Sequence, residues 1–136
     1  MRFPPLKHEA MTPAQREAAA EISAGPRGEV RGPFIALLHN PELARRIQQL
    51  GEHLRWGGKL PPKLTELAVL VTARRWSCQH EWFVHEKLAR KAGLDDEILE
   101  SIKQGSEPQR MSGDEAAVHA FCRQAHESGR VADAEF

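Results

Sequence analysis

The 136 residues are enough for one compact domain and little more. Basic and acidic residues balance at 19 each, so no basic excess marks a nucleic-acid surface. No apolar run reaches the length of a membrane span, the amino-terminal MRFPPLKHEA has no apolar signal core, and the two cysteines, Cys78 and Cys122, do not form a disulfide framework. A cytoplasmic protein with reduced thiols, no nucleic-acid partner and no membrane association is expected.

Good helix formers dominate, and no segment alternates like a strand, so the expected fold is all-α. Residues 1–11 read as an extended arm. Thr12-Pro13 supplies a cap and a first-turn proline for a helix to about Ser23. Its Ala18, Ala19 and Ile22 are weakly apolar, which predicts a surface helix. Phe34, Ile35, Leu37 and Leu38 predict a single buried turn. Asn40-Pro41 caps a helix whose Leu43, Ile47, Leu50 and Leu54 form one apolar stripe, ending at Gly57-Gly58.

Pro61-Pro62 opens the central helix, LTELAVLVTARR, apolar on nearly all sides. The next runs from near Ser77 to Gly93, where glycine suits a left-handed terminus. A short helix from Asp95 or Asp96 carries Ile98, Leu99 and Ile102 and closes at Gly105. The capping box Ser112-x-x-Glu115 starts a helix that ends at Gly129. VADAEF reads as the beginning of one more. No repeat or linker marks a second domain, so residues 1–136 are expected to form one.

Chemistry concentrates in RWSCQHEWFVH, residues 75–85. On a helix, Cys78, Glu81 and His85 fall within about 60° of one another. His80 points about 140° away from His85, and the His-Glu-x-x-His spacing of a zinc helix is missed by one residue, so no metal is expected. Glu81 stands where a Cys-x-x-Cys motif would need its second sulfur. Glu81 four residues before His85 makes a carboxylate–imidazole pair that can move protons. Glu66 is the only acid in LTELAVLV, and a buried carboxylate needs a partner. A short connection between the helices would bring it to the Cys78/Glu81/His85 face. The plain alternative is a surface Glu–His pair beside a small buried cysteine. Elsewhere, His53, Arg74 and Arg75 suit helix carboxyl ends. His119 and His126 read as surface groups, Cys122 as core, and Trp76 and Trp82 as packing residues.

From Leu64 to Gly105 the sequence resembles the carboxymuconolactone decarboxylase family, which includes the alkylhydroperoxidase D-like proteins. The resemblance rests on Glu66, Cys78, Gln79-His80-Glu81-Trp82, His85, KAGL and DDEILESI, and it extends over most of the chain from about residue 33. The family pattern is a glutamate, a Cys-x-x-Cys pair, then a histidine. Glu66, Cys78 and His85 match it, while Glu81 replaces the second cysteine. QHEW looks like a variant of the sequence found in members that lack the dithiol. The resemblance implies an alkylhydroperoxidase D-like fold in which two central antiparallel helices carry the site. It also implies homo-oligomers, trimers or hexamers, and further apolar helices beyond VADAEF, so that the carboxyl-terminal helix would be truncated here.

In dithiol members the second cysteine meets the peroxide, and this chain lacks it. The expectation is therefore a cofactor-free, metal-free acid–base enzyme that decarboxylates a small lactone or carboxylic acid. Its site residues would be Glu66, Cys78, Glu81 and His85, with His85 as general acid, Glu81 orienting it, Glu66 a second proton handler and Cys78 a polar wall or spectator. The alternatives are a thiol peroxidase relying on Cys78 with an external reductant, and a non-catalytic oligomeric scaffold.

Overall fold

The computed structural model describes residues 3–133, and these are helical, with no strand among them. They group into two compact units that divide between Gly58 and Lys59.

The first unit contains α1 (Pro13–Ala24), α2 (Pro33–Leu37) and α3 (Pro41–Glu52). Residues 3–7 of the expected arm have no regular structure, and His8–Ala10 make one 3₁₀ turn. Thr12 caps α1 reciprocally with Gln15. α1 is less superficial than expected. Ala18 and Ile22 are fully buried, because Ile22 packs with Phe34 and Ala44 in this unit's small core. The apolar stripe of α3, continued by Leu54 just beyond it, faces outward: Leu43, Ile47, Leu50 and Leu54 are 37–59 % exposed. The inward face is Ala44, whose small side chain permits close helix approach, and Gln48, which accepts from Arg27 Nε (2.6 Å) and donates to Glu52 (3.1 Å). Arg45 reaches α1 at Glu21 (2.8 Å). A five-residue π turn, His53–Gly57, follows α3.

The second unit holds α4 (Pro62–Arg75), α5 (Gln79–Lys91), α6 (Asp96–Gln104) and α7 (Gly113–Ser128). α4 is central, packing on α5, α6 and α7. Its Leu64, Leu67, Leu70 and Val71 join Ala89, Leu94, Ile98, Leu99 and Ile102 in one core. Trp82 and Cys122 pack on that core as expected. Trp76 does not, and is 69 % exposed. The capping box forms between Ser112 and Glu115.

The turn from α4 to α5 positions the site. Cys78 N–H donates to Ala73 O (2.8 Å) and Ser77 N–H to Arg74 O (3.1 Å), the paired bonds of a Schellman ending. Ser77 occupies the left-handed position (φ 51°) that glycine normally fills. At the end of α5, Gly93 takes that position (φ 85°), as expected. The helix expected from VADAEF falls partly on residues 134–136, outside the described residues.

Candidate active site

The tight turn at residues 76–78 sends α5 back along α4. Glu66, near the middle of α4, thereby meets His85, near the middle of α5. His85 Nδ1 lies 2.6 Å from Glu66 Oε2, and the two side chains are 10 % and 8 % exposed. An N–H at Nδ1 donating to the carboxylate satisfies both groups in a place with little water. It also orients the ring, leaving Nε2 as the nitrogen that can exchange a proton. Glu81 Oε2 is 3.3 Å from that Nε2. One imidazole is thus flanked by two carboxylates, one buried and one, at 39 % exposure, open to solvent.

Cys78 is the residue preceding the first turn of α5, and it is partly buried. It shares with Glu81 a cavity of about 530 Å³ whose remaining walls are Ala68, Val69, Thr72, Ala73 and Trp76. All four expected residues therefore sit together: Glu66 and His85 behind, Glu81 and Cys78 on the cavity. His80 is exposed. Trp82 turns its indole N–H to Glu86 Oε2 (3.1 Å) and packs on the core, away from the chemistry.

The cavity walls on α4 were not singled out from sequence. The signal is there in retrospect: residues 68, 69, 72, 73 and 76 have the spacing of one helix face. LTELAVLVTARR is so uniformly apolar that no face stands out. His119 is also misread from sequence as a surface group. It is 5 % exposed, and burial, with Arg123 adding to it, pushes its imidazole below the ordinary histidine range against the pull of Glu107. His126 is half-buried, with Nε2 3.0 Å from Thr72 Oγ1.

Among the described residues, no three His, Cys, Asp or Glu side chains are grouped to hold a metal ion, and no helix is long and apolar enough to cross a membrane.

Fold and site together define an all-α protein built around a buried carboxylate–imidazole pair that opens through a second carboxylate onto an apolar cavity. The chain belongs to the carboxymuconolactone decarboxylase family, whose model matches residues 41–123, from the start of α3 into α7. No curated protein and no solved structure matches it.

Proposed function

We propose that this protein is a cofactor-free acid–base enzyme that decarboxylates a small lactone or carboxylic acid held in the Cys78/Glu81 cavity. The observation that carries the reading is the unbroken series Glu66–His85–Glu81, which runs from the buried face of α4 to the cavity wall. Decarboxylation breaks the bond between a carbon and its carboxylate. Carbon dioxide departs, and the electron pair remains as an enolate. The enzyme then delivers one proton to carbon. In this reading Glu66 orients His85, since it makes the shorter bond. His85 supplies the proton from Nε2, directly or through Glu81, which faces the cavity. Solvent restores it through the exposed side of Glu81. The apolar walls strip water from the substrate carboxylate and favour its loss as neutral carbon dioxide. Cys78 is a wall residue.

Purified protein screened against lactone carboxylic acids and β-keto acids tests this. Turnover should fall about a hundredfold or more in His85→Ala and Glu66→Gln, the usual scale for a positioned acid–base group. Cys78→Ser should be nearly silent. Retained turnover in the first two variants refutes the assignment.

The place of Cys78, next to Glu81 at the start of α5, favours one second reading, a thiol peroxidase. The thiolate would attack a hydroperoxide O–O bond, leaving a sulfenate and an alcohol, and an external dithiol would reduce the sulfenate. Selective oxidation of Cys78 by a slight excess of organic hydroperoxide, followed by intact mass, decides between the two. We further propose that the exposed α3 stripe supports homo-oligomers.

A further inference from the structure

A second cavity, of about 580 Å³, lies between α4, the α6–α7 connection and α7. Its floor is apolar, formed by Val71 and Ile102. Three arginines and two glutamates line it, Arg74, Arg75 and Arg123 against Glu107 and Glu127, a surplus of one positive charge with His119 and His126 neutral. The charges are not evenly matched. Arg123 engages both glutamates, bonding Glu107 and reaching Glu127 at 3.4 Å. Neither Arg74 nor Arg75 meets a carboxylate among the described residues.

Arg74 is nevertheless held in place. Its Nε donates to Lys103 O (2.9 Å), and its guanidinium lies against Gly105, where a Cβ would stand 3.1 Å from Nη2. Gly105 therefore serves twice, in its left-handed backbone (φ 77°) and in leaving room for the guanidinium. Arg75 lies over the Trp76 ring, 5.7 Å from its centre. The decisive group is His119. It is 5 % exposed and lines the cavity, yet its buried Nδ1 has no hydrogen-bond partner. Glu107 Oε1, 3.4 Å away, is not aligned with it. That nitrogen is closed off from the cavity, so the ring acts on a ligand there through its charge rather than through a bond at Nδ1.

We infer that this cavity is a binding site for a small organic carboxylate, its charged end held by Arg74, Arg75 and His119 and its apolar body lying on Val71 and Ile102. The apolar floor favours an organic acid over inorganic phosphate. The site is one side chain away from the Cys78/Glu81 cavity. Thr72 lines that cavity, and its hydroxyl donates to Ala68 O (2.8 Å), so its oxygen accepts from His126 Nε2 (3.0 Å) on the carboxylate side. The two linings are thus joined by the His126–Thr72 hydrogen bond.

An anion beside His119 favours its protonated form. Because that imidazole titrates below its ordinary value of 6.5 in the free protein, binding takes up a proton and tightens as pH falls through that region. Glu107 and Glu127 oppose the anion, and Arg74, Arg75 and Arg123 support it.

Benzoate, with inorganic phosphate as comparator, tests the site by calorimetry and by the imidazole ¹⁵N resonances of His119. The expected result is a saturable benzoate shift of His119, tighter at lower pH, with phosphate weaker. Arg75→Gln should weaken benzoate about tenfold, the loss of one charge-assisted hydrogen bond, while Glu81→Gln leaves it unchanged. Three results would overturn the inference. One is no saturable shift of His119 in the wild-type protein. Another is phosphate binding as tightly as benzoate. The third is weakening by Glu81→Gln but not by Arg75→Gln, which would put the benzoate in the other cavity.

Discussion

The Glu66–His85 pair makes a quantitative claim about stability. Each side chain is about nine-tenths buried, and the contact is 2.6 Å. Replacing Glu66 by Leu leaves a buried imidazole N–H without its acceptor, which costs about 2 kcal/mol. Replacing His85 by Leu leaves a buried carboxylate without its imidazole, which costs about 3 kcal/mol. The two losses should not add. In the double variant neither member of the pair is left facing a missing partner, so its destabilisation should fall short of the sum by about 2 kcal/mol or more. With a urea dependence of about 2 kcal/mol per molar, that coupling is a midpoint difference of roughly 1 M, well above measurement error. Equilibrium urea unfolding of the four proteins, at one fixed protein concentration, reads it directly. Additive losses, or a coupling below about 0.5 kcal/mol, would refute the argument that burial makes each partner depend on the other.

Three further outcomes follow from other parts of the molecule. Ser77→Gly should raise stability by about 0.5–1 kcal/mol, since the left-handed backbone penalises any β-carbon, and a lowered melting temperature would count against that strain. Burial works to raise the Glu115 carboxyl, but hydrogen bonds from Lys63 and Ser112 outweigh it and hold the group below its ordinary value of 4.5. Its contribution is therefore complete above 4.5 and lost as pH falls through the lower, folded value, so melting temperatures of Glu115→Gln and wild type should converge in acid and diverge above 4.5. Leu50→Glu on the exposed side of α3 with Leu54→Glu in the turn that follows it should leave helical circular dichroism intact and lower the mass seen by light scattering; an unchanged mass would remove this stripe from any self-association.

Much of the helical frame was legible because its punctuation is local. Proline at the first turn of α1, α3 and α4, capping groups at Thr12, Asn40 and Ser112, and glycine after α5, α6 and α7 mark ends by backbone chemistry alone. The meeting of Glu66 with the Cys78/Glu81/His85 face was legible for a related reason: a connection too short to wander forces two helices together, and a lone acid in an apolar stretch needs a partner. Which side of a helix faces inward was harder to read. The leucine stripe of α3 suggests an inner face, yet Ala44 and Gln48 take it, because a small residue permits close packing and Gln48 is satisfied by Arg27 and Glu52. His119 shows the same limit. Nothing local distinguishes a histidine buried beneath Arg123 from one in water, since its environment comes from a helix end and a connection well away from it in sequence.

α4 explains why the two cavities can coexist so near each other. Its core-facing leucines and Glu66 are buried while Thr72 and Arg74 are exposed, yet each of these three polar groups has a partner within the unit. Glu66 is met by α5, Thr72 by its own Ala68 carbonyl and by α7, and Arg74 by the carbonyl at the end of α6. Each neighbouring helix therefore answers a different polar position on α4. A change at one position is felt by the helix that answers it, and α4 itself is the element common to all three. The Ser77 turn sets where α5 begins and so where Cys78 and Glu81 stand. Thr72 sits between that hairpin and α7. If an acid bound at Arg74 and Arg75 alters turnover in the Cys78/Glu81 cavity, Thr72→Val should weaken that effect while leaving the Glu66–His85 bond in place, because it removes the oxygen that His126 holds and no part of the carboxylate–imidazole series.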